Sequence, residues 1–258
     1  MKPLKYWNPD GFEISSYKFH LSNKINNSFI TSGSDNTGKC VYTYNSLGFR
    51  GDEPTQNGFK IMSIGDSNTE GVGVNNQETW PAQFTKLIPN GVNHNFGMGG
   101  RSNDYISRCL LTYYDLIKPD LVLIMYTSPH RREIFTKDGG IEPFMVTQKW
   151  GYLEETEDGR KIQSLMVQLQ NDNEDFINWY KNHLLIKYFL ESKNCNWLWN
   201  GWLGIPNYIT EFNRFDGSYS SPFIDLGVDK NHPGPKHNEE YAKSLFNRIN
   251  NNFKHYLP

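Results

Sequence analysis

The chain has 258 residues, 21% of them charged, and a net charge of −2. That length can bury a core without disulfides or metals. The charge balance supplies neither a basic nucleic-acid footprint nor an acidic tail, and 15% aromatic content argues against disorder.

Residues 1–58 are polar and rich in Asn, Ser and Gly, with short aromatic stretches at Tyr17-Lys18-Phe19-His20 and Val41-Tyr42-Thr43-Tyr44. They read as a small β-rich N-terminal segment. Asn45-Ser46-Leu47-Gly48-Phe49-Arg50-Gly51 reads as a turn with two glycines. Met1 to Asn8 carry no apolar signal region, and the longest apolar run, near Leu121 to Tyr126, is too short to span a bilayer. These features predict a cytoplasmic protein, with delivery in a viral or secreted assembly as the alternative.

Residues 59–258 read as the main domain. Lys60 to Ile64 is a short apolar strand, Gln77 to Leu87 a helix, and Val92 to Phe96 a second strand. Ile106, Cys109, Leu110, Tyr113 and Leu116 fall at helical spacing within Asn103 to Leu116. Leu121 to Tyr126 is a continuous apolar run, the pattern of a buried parallel strand. Residues 137–170 form a polar excursion with turn signals at Asp138-Gly139-Gly140 and Asp158-Gly159, within an insertion spanning 137–220. Asp175 to Leu190 is an amphipathic helix, Asn196 to Trp199 a strand, and Lys236 to Phe253 the closing helix. Alternating strands and helices imply a parallel sheet covered by helices, with a site at the strands' carboxyl ends.

Three segments carry chemistry. Gly65-Asp66-Ser67 directly follows the first core strand, where a turn can present the Ser67 hydroxyl to a cleft. Thr69 breaks the G-x-S-x-G pattern of the nucleophile elbow. Asp229-Lys230-Asn231-His232 supplies a base and its orienter on a loop before a helix, and Pro233-Gly234 stiffens the turn. Asn95-Phe96-Gly97-Met98-Gly99-Gly100 exposes backbone amides that can serve a developing oxyanion, Gly100 above all. A phosphate cradle is the rival reading of that loop, weakened because no Gly-Lys-Ser/Thr follows.

With these segments the chain resembles the SGNH, or GDSL-type, serine hydrolases. Ser67 matches the family's first block and Gly100 its second. Asp229 and His232 match the last block, continued by Pro233 and Gly234. The turn at Asn45 to Gly51 resembles a lead-in found before the first block in some members. The resemblance implies a flavodoxin-like three-layer α/β/α domain and a Ser67–His232–Asp229 triad. It further implies an oxyanion hole built from the amides of Ser67 and Gly100, with no cofactor and no metal. The third block departs. Where the family carries Gly-x-Asn-Asp, this chain reads Thr127-Ser128-Pro129-His130-Arg131-Arg132-Glu133. Ser128, His130 and Arg131 are the candidates to replace the missing donor. Arg131, with His130, is also a candidate for binding the substrate.

The activity so implied is hydrolysis of acyl esters, possibly O-acetyl groups on carbohydrate. The alternatives are acyl transfer by the same triad and a non-catalytic glycan-binding module on the same fold. The expected partner is a small-molecule or glycan ester, with no nucleic acid and no membrane span. Trp197, Trp199, Trp202 and Tyr208 read either as a sugar-stacking cleft or as packing. His94 and His237 lack metal-ligand spacing and read as structural. Cys40, Cys109 and Cys195, odd in number and without a Cys-x-x-Cys pair, read as reduced thiols.

Overall fold

A computed structural model describes residues 28–32, 39–135, 141–145, 157–169, 171–201, 214, 219 and 222–258. Its centre is a four-stranded parallel sheet of β3 (Phe59–Gly65), β4 (Gly91–Gly97), β5 (Leu121–Tyr126) and β8 (Asn196–Gly201), in the order β4-β3-β5-β8. Successive strand side chains point to opposite faces, and the burial follows that alternation. Met62, Ile64, Val122, Ile124, Trp197 and Trp199 pack into one apolar layer with helices Asn103–Ile117 and Asp172–Ser192. Ile61, Leu121, Leu123, Met125 and Leu198 pack into the other, under helices Trp80–Thr85 and Pro235–Asn252. The result is the expected three-layer α/β/α arrangement.

The chain runs outward from β3 to β4, then crosses back to β5 on the other side of β3. The carboxyl end of β3 is therefore a topological switch point, where two connections diverge and leave a crevice. Gly65 ends that strand, and Ser67 opens the short helix α1 (Ser67–Glu70) behind it.

Several boundaries differ from the sequence reading. The segment expected as one helix from Gln77 to Leu87 is a 3-10 turn (Asn76–Glu78) followed by α2 (Trp80–Thr85). The break lies at Thr79, whose hydroxyl caps α2 by accepting from the Ala82 N–H, with Pro81 in the first turn where its missing N–H costs nothing. The stretch expected as a loop after β5 enters strand β6 (Arg131–Phe135), which pairs antiparallel with β7 (Ile141–Met145). The 137–170 excursion thus contains β7, and also helix α4 (Glu157–Leu169), which begins through the expected Asp158-Gly159 turn. An acidic residue in a first helical turn complements the helix dipole, so that dipeptide can open a helix as readily as a turn.

The remaining helices keep their expected positions: α3 (Asn103–Ile117), α5 (Asp172–Ser192) and α6 (Pro235–Asn252). In the N-terminal segment, β2 (Lys39–Thr43) pairs antiparallel with β1 (Ser28–Ser32). Tyr17 to His20, Trp202, Tyr208 and the Asp138-Gly139-Gly140 turn lie outside the described residues. Trp197 and Trp199 are buried to 5% and 1% exposure, so they are packing and present no face to a sugar. No helix among the described residues is long and apolar enough to cross a membrane. Cys40, Cys109 and Cys195 are free thiols.

Candidate active site

Asp66 builds the nucleophile turn. Its Oδ1 accepts the Asn68 N–H at 3.0 Å and so caps α1, which fixes the backbone on both sides of Ser67. Its Oδ2 accepts from the Thr127 hydroxyl at 2.8 Å and from Arg131 Nη1 at 3.0 Å. This carboxylate is 1% exposed at the residue level and takes hydrogen bonds on both oxygens, as a buried charge requires.

The loop before α6 brings in the other partners. Asp225 caps α6 from outside, its Oδ1 and Oδ2 accepting the His237 and Lys236 amides. Gly227 N–H donates to the His232 carbonyl at 2.8 Å, and Val228 N–H to the Gly73 carbonyl at 2.8 Å. The first bond closes the histidine loop on itself, and the second ties it to the turn that follows α1. His232 Nε2 then stands 2.9 Å from Ser67 Oγ, and His232 Nδ1 stands 2.5 Å from Asp229 Oδ2.

The electrostatics assign the protons. Burial works to raise the Asp229 pKa, but hydrogen bonds from the His232 ring and from the His232 and Asn231 amides outweigh it. The carboxyl is held at about 2. An ionised carboxylate only accepts, so Nδ1 carries the proton and donates to it. Nε2 is left as the acceptor for the Ser67 hydroxyl.

Ser67 N–H is the first amide of α1 and has no intrahelical acceptor. The loop after β4 lies against it: a Cβ added at Gly99 would stand 3.7 Å from Ser67 Cβ. Gly100, in the left-handed region at φ 75°, has an amide with no acceptor among the described residues. Ser67, His232, Asp229 and the Gly100 loop are therefore brought together.

The third-block candidates fare differently. Arg131 reaches the site, with Nη1 on Asp66 and 3.4 Å from the Arg101 carbonyl. Ser128 bonds within its own loop, its Oγ accepting from the His130 N–H at 3.4 Å. His130 donates from Nδ1 to Asp175 Oδ2 at 2.6 Å, and Asp175 Oδ1 pairs with Arg132 at 2.6 Å. His130, Asp172 and Asp175 each offer one ligand atom within 4.8 Å of the others, but the Asp175 charge already faces Arg132. His94 and His237 sit apart as buried histidines, with pKa values lowered first by burial, to about 4 for His94.

Sequence reasoning passed over Asn103. Its Oδ1 accepts the Thr127 N–H at 3.0 Å and its Nδ2 donates to the Thr127 carbonyl at 3.1 Å. It thereby clamps the chain leaving β5 in the place where the altered block begins. At the start of a helix, an Asn reads as a local cap, and nothing in the sequence signals this longer reach.

No protein-family model matches the chain, and no curated protein does. Solved structures do. A putative lipolytic protein of the G-D-S-L family from Desulfitobacterium hafniense DCB-2 is 16% identical with a TM-score of 0.33, over 73% of this chain and 98% of that one. A putative arylesterase from Agrobacterium tumefaciens str. C58 is 15% identical with a TM-score of 0.40, over 75% and 99%. A carbohydrate acetylesterase family member from Sinorhizobium meliloti is 12% identical with a TM-score of 0.32, over 74% and 96%. The likenesses are remote, so the chemistry is read from the site itself.

Proposed function

We propose that the protein is a serine ester hydrolase in which Ser67 is the nucleophile, His232 the general base and Asp229 its orienter. One observation carries the reading: the unbroken relay from Ser67 Oγ through His232 to an ionised Asp229. As Ser67 Oγ bonds to the acyl carbon, its proton passes to His232 Nε2. The imidazolium so formed is balanced by Asp229. The oxyanion is received by the amides of Ser67 and Gly100. His232 then returns the proton to the leaving alcohol, and an acyl-enzyme remains. A water deprotonated by His232 attacks it, releasing the acid and restoring Ser67.

Arg131 is the proposed third contact, as the candidate of the altered block that sits on Asp66 at the foot of the nucleophile. We take a short acyl ester as the substrate class, with an O-acetyl group on carbohydrate as the specific proposal. The longest apolar run, Leu121 to Tyr126, is buried in the central sheet, and the sequence offers no longer apolar segment to cover an acyl chain, which favours a hydrophilic alcohol over a lipid. The test is hydrolysis of p-nitrophenyl acetate against p-nitrophenyl palmitate and of an acetylated xylan, with fluorophosphonate labelling of Ser67. Absence of both labelling and acetate release would sink the reading. Turnover of the palmitate alone would overturn the substrate class.

A further inference from the structure

Glu70 lies three residues after Ser67, at the end of α1, and is 3% exposed. A buried carboxylate needs partners that repay its lost hydration. Its Oε1 accepts from the Tyr44 hydroxyl at 2.6 Å, and its Oε2 accepts the Gly99 N–H at 2.6 Å. Burial raises the Tyr44 pKa, and the adjacent Glu70 charge raises it further, so the phenol stays protonated and donates. The Arg50 guanidinium bonds the carbonyls of Glu70, Gly71 and Val74, which places a positive charge beside this carboxylate.

The consequence falls on the loop after β4. Gly97 N–H donates to Asn95 Oδ1, Met98 N–H to the Gly65 carbonyl, Gly99 N–H to Glu70, and Arg101 N–H to the Met98 carbonyl. Among the described residues, that leaves Gly100 as the one amide of residues 97–101 without an acceptor. The fit is close on both sides. A Cβ at Gly97 would lie 2.1 Å from the Glu70 nitrogen, and one at Gly99 would lie 3.1 Å from Glu70 Oε2.

We propose that Glu70, held by Tyr44, is a positioning residue: by engaging the Gly99 amide it sets the Gly100 amide toward the oxyanion. The inference rests on the ester-hydrolase reading above. It also gives the N-terminal segment a role in turnover, since Tyr44 and Arg50 belong to that segment. Glu70 touches no reacting atom, so its effect is on the geometry of a donor, and it appears in kcat more than in KM.

The experiment compares Glu70→Ala, Glu70→Gln and Tyr44→Phe with the wild type on p-nitrophenyl acetate, alongside melting curves and ¹⁵N-glycine NMR spectra. Glu70→Ala is expected to lower kcat about 10²-fold, the scale of one mis-set oxyanion donor, with KM within about threefold. Glu70→Gln should recover kcat to within about tenfold of wild type, because its amide oxygen can still accept the Gly99 N–H. Tyr44→Phe should fall between them. In the spectra, the Gly99 amide proton should move upfield in Glu70→Ala and much less in Glu70→Gln.

Folded Glu70→Ala and Tyr44→Phe proteins that keep kcat within about twofold of wild type would overturn the inference. So would equal losses in Glu70→Ala and Glu70→Gln, which is the pattern of a merely structural side chain. If Glu70→Ala does not fold, Tyr44→Phe, which removes a single hydroxyl, decides the matter by the same kcat and Gly99 criteria. A wild type that hydrolyses the ester beside unaffected variants overturns this inference alone. A wild type that neither hydrolyses nor labels overturns the ester reading, and this inference with it.

Discussion

Ser67 Oγ and His232 Nε2 lie 2.9 Å apart although 165 positions separate them in the chain. The contact is made because the turn that follows α1 and the loop before α6 are bonded to each other through Gly73 and Val228. Ser67→Ala and His232→Ala should each lower kcat for p-nitrophenyl acetate by at least about 10⁴-fold. Combining them should cost little more than either alone, because the two side chains act as a unit. Steady-state rates of the three variants check this, and additive losses would show that they do not cooperate.

Asp229 offers a second handle. Asp229→Asn should lower kcat about 10⁴-fold, since an amide in place of the carboxylate favours the wrong imidazole tautomer and cannot balance the imidazolium. It should also change the pH dependence of stability. A carboxyl held at about 2 in the folded protein, below an unfolded value of about 3.9, contributes stability that is fully present above the unfolded value. That contribution is lost as pH falls through the folded value. The difference in melting temperature between wild type and Asp229→Asn should therefore shrink as pH falls between about pH 4 and 2.

The residues proposed as the triad were legible in the sequence because each sits in a short local pattern: Gly-Asp-Ser after an apolar strand, and Asp-x-x-His before a helix. The sheet was legible for a similar reason. Leu121 to Tyr126 is apolar on both faces, and all six residues are buried, as a central parallel strand requires. What was hidden depends on side chains that reach across the fold. Glu70 reads as an ordinary residue of a short helix, yet it bonds Gly99, 29 positions away. Asn103 reads as a cap, yet it holds Thr127. The β6–β7 pair was hidden because Arg131-Arg132-Glu133 looks like a charged loop. All three of those charges are matched in the tertiary structure, Arg131 by Asp66, Arg132 by Asp175 and Glu133 by Arg108.

Gly73 should be intolerant of substitution in a way that reports on the triad. It has φ +86°, and a Cβ there would stand 2.7 Å from Asp229 Oδ1. Gly73→Ala must therefore push the carboxylate off His232 or strain the backbone that carries it. A displacement of about 1 Å in such a group can cost 10²-fold in rate. We expect kcat/KM for p-nitrophenyl acetate to fall by about that factor, and fluorophosphonate labelling of Ser67 to slow in parallel. A variant with a lower melting temperature but unchanged labelling would place Gly73 in the fold alone.

Arg131 separates stability from chemistry. Its pair with Asp66 is nearly sealed, the side chains being 11% and 2% exposed, at 3.0 Å. Arg131→Ala leaves Asp66 buried with fewer donors, and breaking a buried pair in this way costs about 3–5 kcal/mol. The Asn68 and Thr127 bonds to Asp66 remain, so the low end of that range is expected. Arg131→Lys keeps the charge but loses the planar fork, and should recover part of the stability. Denaturant unfolding of both variants measures this directly. If Arg131 also meets the substrate, Arg131→Lys should raise KM, or lower kcat, beyond what its folded fraction explains. Wild-type kinetics in a folded Arg131→Lys protein would confine the guanidinium to holding Asp66, and the third oxyanion donor would then have to come from a backbone amide or from another side chain.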